Sequence, residues 1–219
     1  MKKWLIPLII LAVIAFGIYN WAVGFNNTAV EYEANAKTAW SNVESSYQRR
    51  NDLIGNLVKT VQGAADFEKE TLEGVINART KATSTTIDAG NLTPENMAAF
   101  QEAQSGLTGA LSRLMLVVER YPDLKANQNF LELQSQLEGT ENRINVARDR
   151  FNEKVNIYDI HTTKFPNKLL AGWVGFEEMP RYKAVPGSED VPEGGFDFGS
   201  IGGDMSDVED LFTSARGGG

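Results

Sequence analysis

The N-terminal segment constrains this chain more than any other, because residues 4–25 form an uninterrupted apolar run, WLIPLIILAVIAFGIYNWAVGF, with no charged side chain. A helix rises about 1.5 Å per residue, so a run of this length spans the ~30 Å hydrocarbon core of a bilayer. Trp4 at one end and Tyr19 with Trp21 at the other suit the two membrane interfaces. We therefore predict a transmembrane anchor over residues 1–25, in contact with membrane lipid through residues 4–25.

A cleaved signal peptide is the alternative interpretation, since Lys2 and Lys3 before an apolar run also describe a secretion signal. The run is longer than the apolar core typical of such signals, which favours an anchor that is kept. Beyond the run, Lys37 is the only basic residue in the next twenty. The positive-inside rule then predicts a cytoplasmic N-terminus, with the rest of the chain on the opposite side of the membrane.

Charge is distributed unevenly along the 219 residues, whose formal net charge is −8. Residues 187–219 hold eight of the 29 acidic residues and one of the 21 basic residues, so the rest of the chain is near neutral. A near-neutral body with an acidic end lacks the basic stripe that nucleic-acid binding needs, and we predict no nucleic-acid partner. The absence of cysteine excludes disulfides, thiolate metal sites and a cysteine nucleophile.

Helical periodicity dominates residues 26–166, where apolar side chains recur at spacings of three, four and seven. The first stripe runs from Trp40 to Val61 on a helix expected to begin near Asn26, and it bends or ends at Gly63-Ala64-Ala65. A second stripe covers Leu72 to Ile76. A third helix is predicted to begin at Pro94 behind a Thr93 N-cap and to stop at Tyr121-Pro122, and a fourth runs from Phe130 to Tyr158. We predict an all-α fold, an antiparallel and coiled-coil-like bundle of about four helical stretches.

Two further segments follow the bundle. Residues 167–186 are predicted to form an apolar cap or docking element at one end of it. Residues 187–219 contain nine glycines and are predicted to form a flexible, Gly-rich acidic tail. Within the tail, Val208, Leu211 and Phe212 have the i, i+3, i+4 spacing of a short amphipathic docking helix, although an inert solubilising tail is the alternative.

Several sequence blocks resemble the LemA family of bacterial membrane proteins. They include RRNDLIGNLV at residues 49–58, INAR at 76–79, ERYPDLKAN at 119–127 and ENRI at 141–144, and the resemblance covers about residues 1–185. It implies a helical bundle in the bacterial cell envelope. From this and the positive-inside rule, we predict an anchor in the inner membrane and a bundle on its periplasmic side. One departure is Gly55, where the family usually has proline, so any bend there would be softer in this chain.

No pattern for catalysis or metal binding emerges. The single histidine, His161, has no second His or Cys at ligand spacing, and neither a phosphate-binding loop nor a hydrolase or metalloprotease motif occurs. We therefore predict no cofactor and no enzyme activity. The favoured function is a scaffold or adaptor that binds unidentified envelope proteins and forms homo-oligomers. The alternatives are a self-assembling protein that shapes or stabilises membrane and, more remotely, a carboxylate-based hydrolase.

Charged residues that interrupt the apolar stripes predict a polar layer inside the bundle. A lone buried charge costs several kcal/mol, so such groups must pair or reach water. In the pairing that we predict, Arg50 or Arg79 faces Glu119 or Glu141, while rotation of each charge onto a solvated flank is the alternative. The candidate residues of the layer are Arg50, Arg79, Glu119, Glu141, Asn142 and Arg148.

Overall fold

The computed structural model describes residues 4–64 and 67–182, and within these ranges the chain is all-helical with no strand. The helices are α1 (Leu5–Gln62), α2 (Lys69–Ser84), α3 (Pro94–Val118), α4 (Pro122–Lys125), α5 (Gln128–Thr163) and α6 (Asn167–Val174). The predicted all-α fold is confirmed, and α1, α2, α3 and α5 correspond to the four predicted stretches. The predicted tail, with Val208, Leu211 and Phe212, and the last four residues of the predicted cap lie outside the described ranges.

The anchor and the first bundle helix form one continuous helix, α1, of 58 residues. At about 1.5 Å per residue it is about 87 Å long. We had expected a separate helix to begin near Asn26, but no proline occurs at this junction and the helix runs through it without interruption. The N-terminal part of α1 is long and apolar enough to cross a membrane, and none of it is buried. At the other end, α1 stops at Gln62 and the chain passes to α2, so the glycine-alanine stretch ends the helix rather than bending it.

The predicted start of the third helix is also confirmed. Helix α3 begins at Pro94, where the hydroxyl of Thr93 accepts a hydrogen bond from the backbone N–H of Asn96 at 3.2 Å. It ends at Val118, ahead of the Tyr121-Pro122 break. Helix α5 has an N-cap that the sequence analysis did not specify, since the side chain of Asn127 accepts hydrogen bonds from two backbone N–H groups of its first turn.

The long helices pair antiparallel in two sets. Helix α1 packs along α5, because Trp40 contacts Phe151 whereas Arg50, further along α1, contacts Glu141, which precedes Phe151 in α5. Helices α2 and α3 form a second antiparallel pair, joined near its two ends by the ion pairs Glu68–Arg120 and Lys81–Glu102. The second pair packs against the C-terminal half of α1, where Phe100 of α3 contacts Trp40 and Val75 of α2 shares a buried cluster with Ile54.

The buried core of the described residues has two large apolar clusters stacked along α1, and a small third cluster of Phe25, Ala29 and Ala171 lies at the end of the apolar run. The cluster nearer the anchor consists mainly of Ala36, Trp40, Val43, Tyr47, Ile87, Met97, Phe100, Ile144, Phe151, Val155 and Tyr182. The distal cluster contains Ile54, Leu57, Val61, Val75, Leu107, Leu114 and Phe130 among others. Between them, α1, α3 and α5 each place a polar residue at the same level of the bundle. This interruption of the apolar core separates its two halves.

Candidate functional site

A buried arginine, Arg50, occupies the gap between the two apolar clusters. Its Nη1 donates a hydrogen bond to Glu141 Oε2 at 3.0 Å, and its Nη2 donates to Gln104 Oε1 at 2.6 Å. The side-chain amide nitrogen of Gln104 in turn donates to the backbone carbonyl of Ala82 at 3.4 Å, and this bond connects α2 to the network. The Arg50 guanidinium also lies 4.8 Å from the centre of the Tyr47 ring. All four long helices therefore contribute to one hydrogen-bonded layer.

The layer is asymmetric in its exposure to solvent. The side chain of Arg50 is only 5% exposed, whereas that of Glu141 is 46% exposed, so the anion reaches water and the cation does not. Two buried polar atoms, Arg50 Nε and Asn51 Oδ1, have no hydrogen-bond partner among the described residues. The desolvated guanidinium thus depends on Glu141 and Gln104 for its compensation.

The other candidate residues of the layer lie around it rather than in it. Arg79 Nε donates to the backbone carbonyl of Asn51 at 2.8 Å, and its guanidinium covers Gly55, where a Cβ would come within 3.0 Å of Nη2. Glu119 is exposed and pairs with Lys125, because it follows Val118 by one residue and is rotated away from the buried stripe at the end of α3. It therefore does not face either arginine.

The remaining two candidates lie on α5. Arg148 is half-buried, with its guanidinium 4.1 Å from the centre of the Tyr182 ring. Asn142 is exposed and lines a groove between α1 and α5. Neither is one of the hydrogen-bonding partners that hold Arg50.

A buried tyrosine pair adjoins the layer on the side of the anchor. The hydroxyl oxygens of Tyr47 and Tyr182 are 2.8 Å apart, and the backbone of Tyr182 is held by two hydrogen bonds with the Asn152 side chain. Burial raises the pKa of both phenols, because desolvation disfavours the phenolate, and burial raises the pKa of Tyr158 to about 12. These tyrosines are therefore protonated well beyond the pH at which exposed tyrosines ionise.

This pKa change predicts a loss of stability at alkaline pH. Below the unfolded-state pKa of about 10 both states are protonated, and above it the unfolded chain alone releases protons. For each phenol that keeps its proton in the folded chain and loses it in the unfolded chain, the free energy of unfolding should fall by about 1.4 kcal/mol per pH unit. Urea unfolding between pH 8 and 11 measures this slope in the native chain and in the double variant Tyr47→Phe/Tyr182→Phe. The variant should have a shallower slope above pH 10, and equal slopes would contradict the prediction.

An open groove lies between α1 and α5, and it runs from the level of the polar layer toward the anchor. It has a volume of about 800 Å³, and α1 lines it with short polar side chains, whereas α5 contributes three cations and one acid. The α1 residues are Asn35, Thr38, Ala39, Asn42, Ser45 and Ser46, and those of α5 include Asn142, Arg143, Val146, Arg150, Glu153 and Lys154. Among the described residues, Arg143 and Arg150 form no ion pair with a carboxylate.

His161 has a packing role in the structure. Its ring stacks on Phe25 with centroids 5.1 Å apart, and its Nε2 lies 3.2 Å from the Phe25 carbonyl oxygen. Among the described residues, no group of three or more His, Asp or Glu side chains could hold a metal ion. The histidine thus joins the end of α5 to the point on α1 where the apolar run ends.

The sequence analysis missed Gln104, a partner in the layer, and Tyr182, which lies beside the layer. Gln104 interrupts the α3 stripe between Phe100 and Leu107, so the reasoning that selected Arg50 on α1 also applies to it. Tyr182 lies beyond α6 and reaches the core by chain reversal, which no local periodicity could reveal. The groove cations Arg143 and Arg150 have the spacing of two helical turns, a signal that was present but is common on solvated helices.

A helical bundle continuous with an apolar N-terminal helix defines an all-helical, membrane-associated protein. Comparison with known families identifies which one: the model of the LemA family matches residues 39–196, and the chain belongs to this family. The resemblance inferred from the sequence blocks is thereby confirmed.

The similar proteins include magnetosome MamQ proteins and a LemA protein. The magnetosome protein MamQ of Magnetospirillum gryphiswaldense is 30% identical over 197 residues, which covers 82% of this chain and 72% of the relative. Magnetosome protein MamQ 1 of Paramagnetospirillum magneticum is 28% identical over 184 residues, covering 74% of this chain and 66% of the relative. Protein LemA of Metamycoplasma hominis is 24% identical over 166 residues, or 75% of this chain and 69% of the relative. The chain thus spans slightly less than two thirds of the MamQ proteins of P. magneticum.

Proposed function

We propose that this chain is a membrane-anchored adaptor whose α1–α5 groove binds an acidic segment of another envelope protein. The observation that carries the proposal is the composition of the groove, where Arg143, Arg150 and Lys154 outnumber Glu153 beside a wall of Asn, Ser and Thr side chains. Two of these cations, Arg143 and Arg150, form no ion pair with a carboxylate among the described residues, whereas Lys154 lies 3.8 Å from its neighbour Glu153. Unpaired cations with neutral donors opposite them favour an anionic and hydrogen-bonding ligand.

The position of the groove supports a protein partner rather than lipid. Asn35 is the groove residue on α1 that lies nearest to the apolar run. It follows Phe25 by ten residues, which corresponds to about 15 Å of helix beyond the run. Lipid head groups extend only about 5–8 Å beyond the hydrocarbon core. The groove therefore opens where a segment of a soluble or membrane-attached protein can enter it.

The polar layer gives the groove a fixed geometry. Glu141 on α5 is bonded to Arg50 on α1, and its neighbours Asn142 and Arg143 line the groove directly. Because a buried polar contact favours one register of two helices over others, this pair keeps the two walls of the groove in place. The proposal includes an anchor in the bacterial inner membrane, a periplasmic bundle and no catalytic step.

Site-specific photocrosslinking in cells tests the proposal. A photoreactive amino acid replaces Val146, a half-exposed groove residue, and the matched control position is the exposed Leu116 on α3. Crosslinks to one or a few envelope proteins are expected from Val146 only. Arg143→Glu with Arg150→Glu should lower the yield at least about tenfold, since a loss of 1.4 kcal/mol in binding has that effect, whereas Arg113→Glu on α3 should leave it unchanged.

Other outcomes are equally informative. Crosslinks only between copies of the chain would contradict the adaptor and support self-assembly, including the homo-oligomers expected from the sequence. Crosslinks to cytoplasmic proteins would contradict the proposed orientation. A yield that does not respond to charge reversal would contradict recognition of an acidic segment.

A further inference from the structure

Helix α6 and the residue just before it leave a row of large apolar side chains mostly exposed. Phe165, Leu169 and Trp173 recur at intervals of four residues and are 84%, 68% and 88% exposed. Two of them belong to α6, and the first lies just before it. The opposite side of α6 is packed, with Ala171 buried against α1. The helix therefore has one face on the bundle and one apolar face that is not covered by the part of the chain that the structure describes.

The location of α6 indicates what covers this face. Ala171 belongs to a small cluster with Phe25 and Ala29, which bracket the point where the apolar run of α1 ends. These two α1 residues are one turn apart, or about 6 Å along the helix axis. The interfacial zone of a bilayer extends about 5–8 Å on each side of its hydrocarbon core. If residues 4–25 cross the membrane, α6 lies at the depth of that zone.

The chain path fixes α6 at this level. Helix α5 descends along α1 until His161 stacks on Phe25, and α6 follows within a few residues. After Gly175, in a left-handed conformation at φ 93°, Phe176 contacts Phe25 edge-on, and the chain returns toward the core at Tyr182. The segment from residue 161 to 176 thus lies beside the end of the anchor.

Charge around the free face matches a phospholipid surface. Lys164 and Lys168 flank the start of α6 and are exposed, and no acidic residue occurs between positions 160 and 176. Lysines beside aromatic and aliphatic side chains are typical of helices that lie in the head-group region, where the cations reach lipid phosphates. Trp173 has the amphipathic ring that is enriched at this interface.

We propose that α6 is a second membrane contact, an interfacial helix that inserts Phe165, Leu169 and Trp173 into the membrane that α1 spans. With α1 it would fix the bundle at two points, and so set the tilt and rotation of the α1–α5 groove relative to the membrane. A single spanning helix leaves rotation about its own axis unrestrained, and an adjoining interfacial helix restrains it. This proposal depends on the anchor and not on what the groove binds.

Spin labelling tests it directly, because the native chain has no cysteine to remove. The full chain with Leu169→Cys or Trp173→Cys carries a nitroxide in vesicles of phosphatidylcholine and phosphatidylglycerol. Oxygen, which concentrates in lipid, and a water-soluble nickel chelate then compete to relax the label. The ratio of oxygen to nickel accessibility should be several-fold higher at both positions than at the exposed control Ala98→Cys on α3. It should be closer to the ratio measured at Ile14→Cys in the anchor.

Each alternative result would overturn the proposal. Nickel accessibility equal to that at position 98 would show that the face is in water. Low accessibility to both reagents would show that protein, such as a second copy of the chain, covers it. As a second measurement, Lys164→Glu with Lys168→Glu should reduce the ratio at position 169 in anionic vesicles more than in pure phosphatidylcholine. An equal ratio in native and charge-reversed chains in anionic vesicles would also contradict it.

Discussion

Replacement of Glu141 by alanine is expected to lower the free energy of unfolding by about 2 kcal/mol, because it leaves the Arg50 cation buried without its anion. The figure lies between the small effect of exposed ion pairs and the larger effect of fully buried ones, since Glu141 itself reaches water. Arg50→Met alone should cost about 1 kcal/mol, mainly because Gln104 Oε1 loses its donor. In the Arg50→Met background, Glu141→Ala should cost less than about 0.5 kcal/mol.

Urea unfolding of the four variants of this double-mutant cycle measures the coupling. Glu138→Ala, at an exposed position one turn earlier on α5, is the matched control and should be close to neutral. Arg50→Met with Gln104→Leu removes both buried polar groups and joins the two apolar clusters, so it should recover the stability lost in Arg50→Met. Additive effects of Arg50→Met and Glu141→Ala would contradict a paired layer.

The sequence was sufficient for much of the fold because its signals are local. A Thr-Pro-Glu start, an X-Pro stop and stripes at heptad spacing determine the boundaries of α3 and the stripe of α5 through short-range chemistry. The continuity of α1 was missed because the composition changes from apolar to polar after Phe25, whereas the helix itself continues to Gln62. Composition and backbone hydrogen bonding respond to different constraints at this position.

The candidate site was less predictable, because it depends on how helices face one another. Seam positions can be identified on each helix separately, which explains why Arg50 and Glu141 were both selected. The direction in which a side chain points at the end of a helix cannot be identified in this way. The prediction that Glu119 faces an arginine was wrong for this reason, since Glu119 is exposed. Contacts made by the segment after α6, such as the Tyr47–Tyr182 pair, join residues 135 positions apart. No periodicity within a helix contains information on such a contact.

Trp40 connects more parts of the fold than any residue of the polar layer. Its ring is fully buried and meets Phe100 of α3 and Phe151 of α5 edge-on at 5.5 and 5.3 Å between centroids. Its indole N–H donates to the carbonyl of Ile87, at 3.0 Å, in the segment that joins α2 to α3. The same ring stacks against Tyr182 at 6.5 Å. One side chain thus holds both helix pairs and the C-terminal return segment.

Trp40→Ala is therefore expected to lower the free energy of unfolding by about 4 kcal/mol, a large part of the 5–15 kcal/mol typical of a domain. Trp40→Phe retains a ring but leaves the Ile87 carbonyl without its donor, and it should cost about 1–2 kcal/mol. The matched control is Trp173→Ala, which removes an equally large side chain from an exposed position and should change stability in detergent by less than about 0.5 kcal/mol. Thermal and urea unfolding of the full chain in detergent compare the three variants. Equal losses at positions 40 and 173 would contradict the assignment of Trp40 to the core and of Trp173 to a surface that bundle packing does not use.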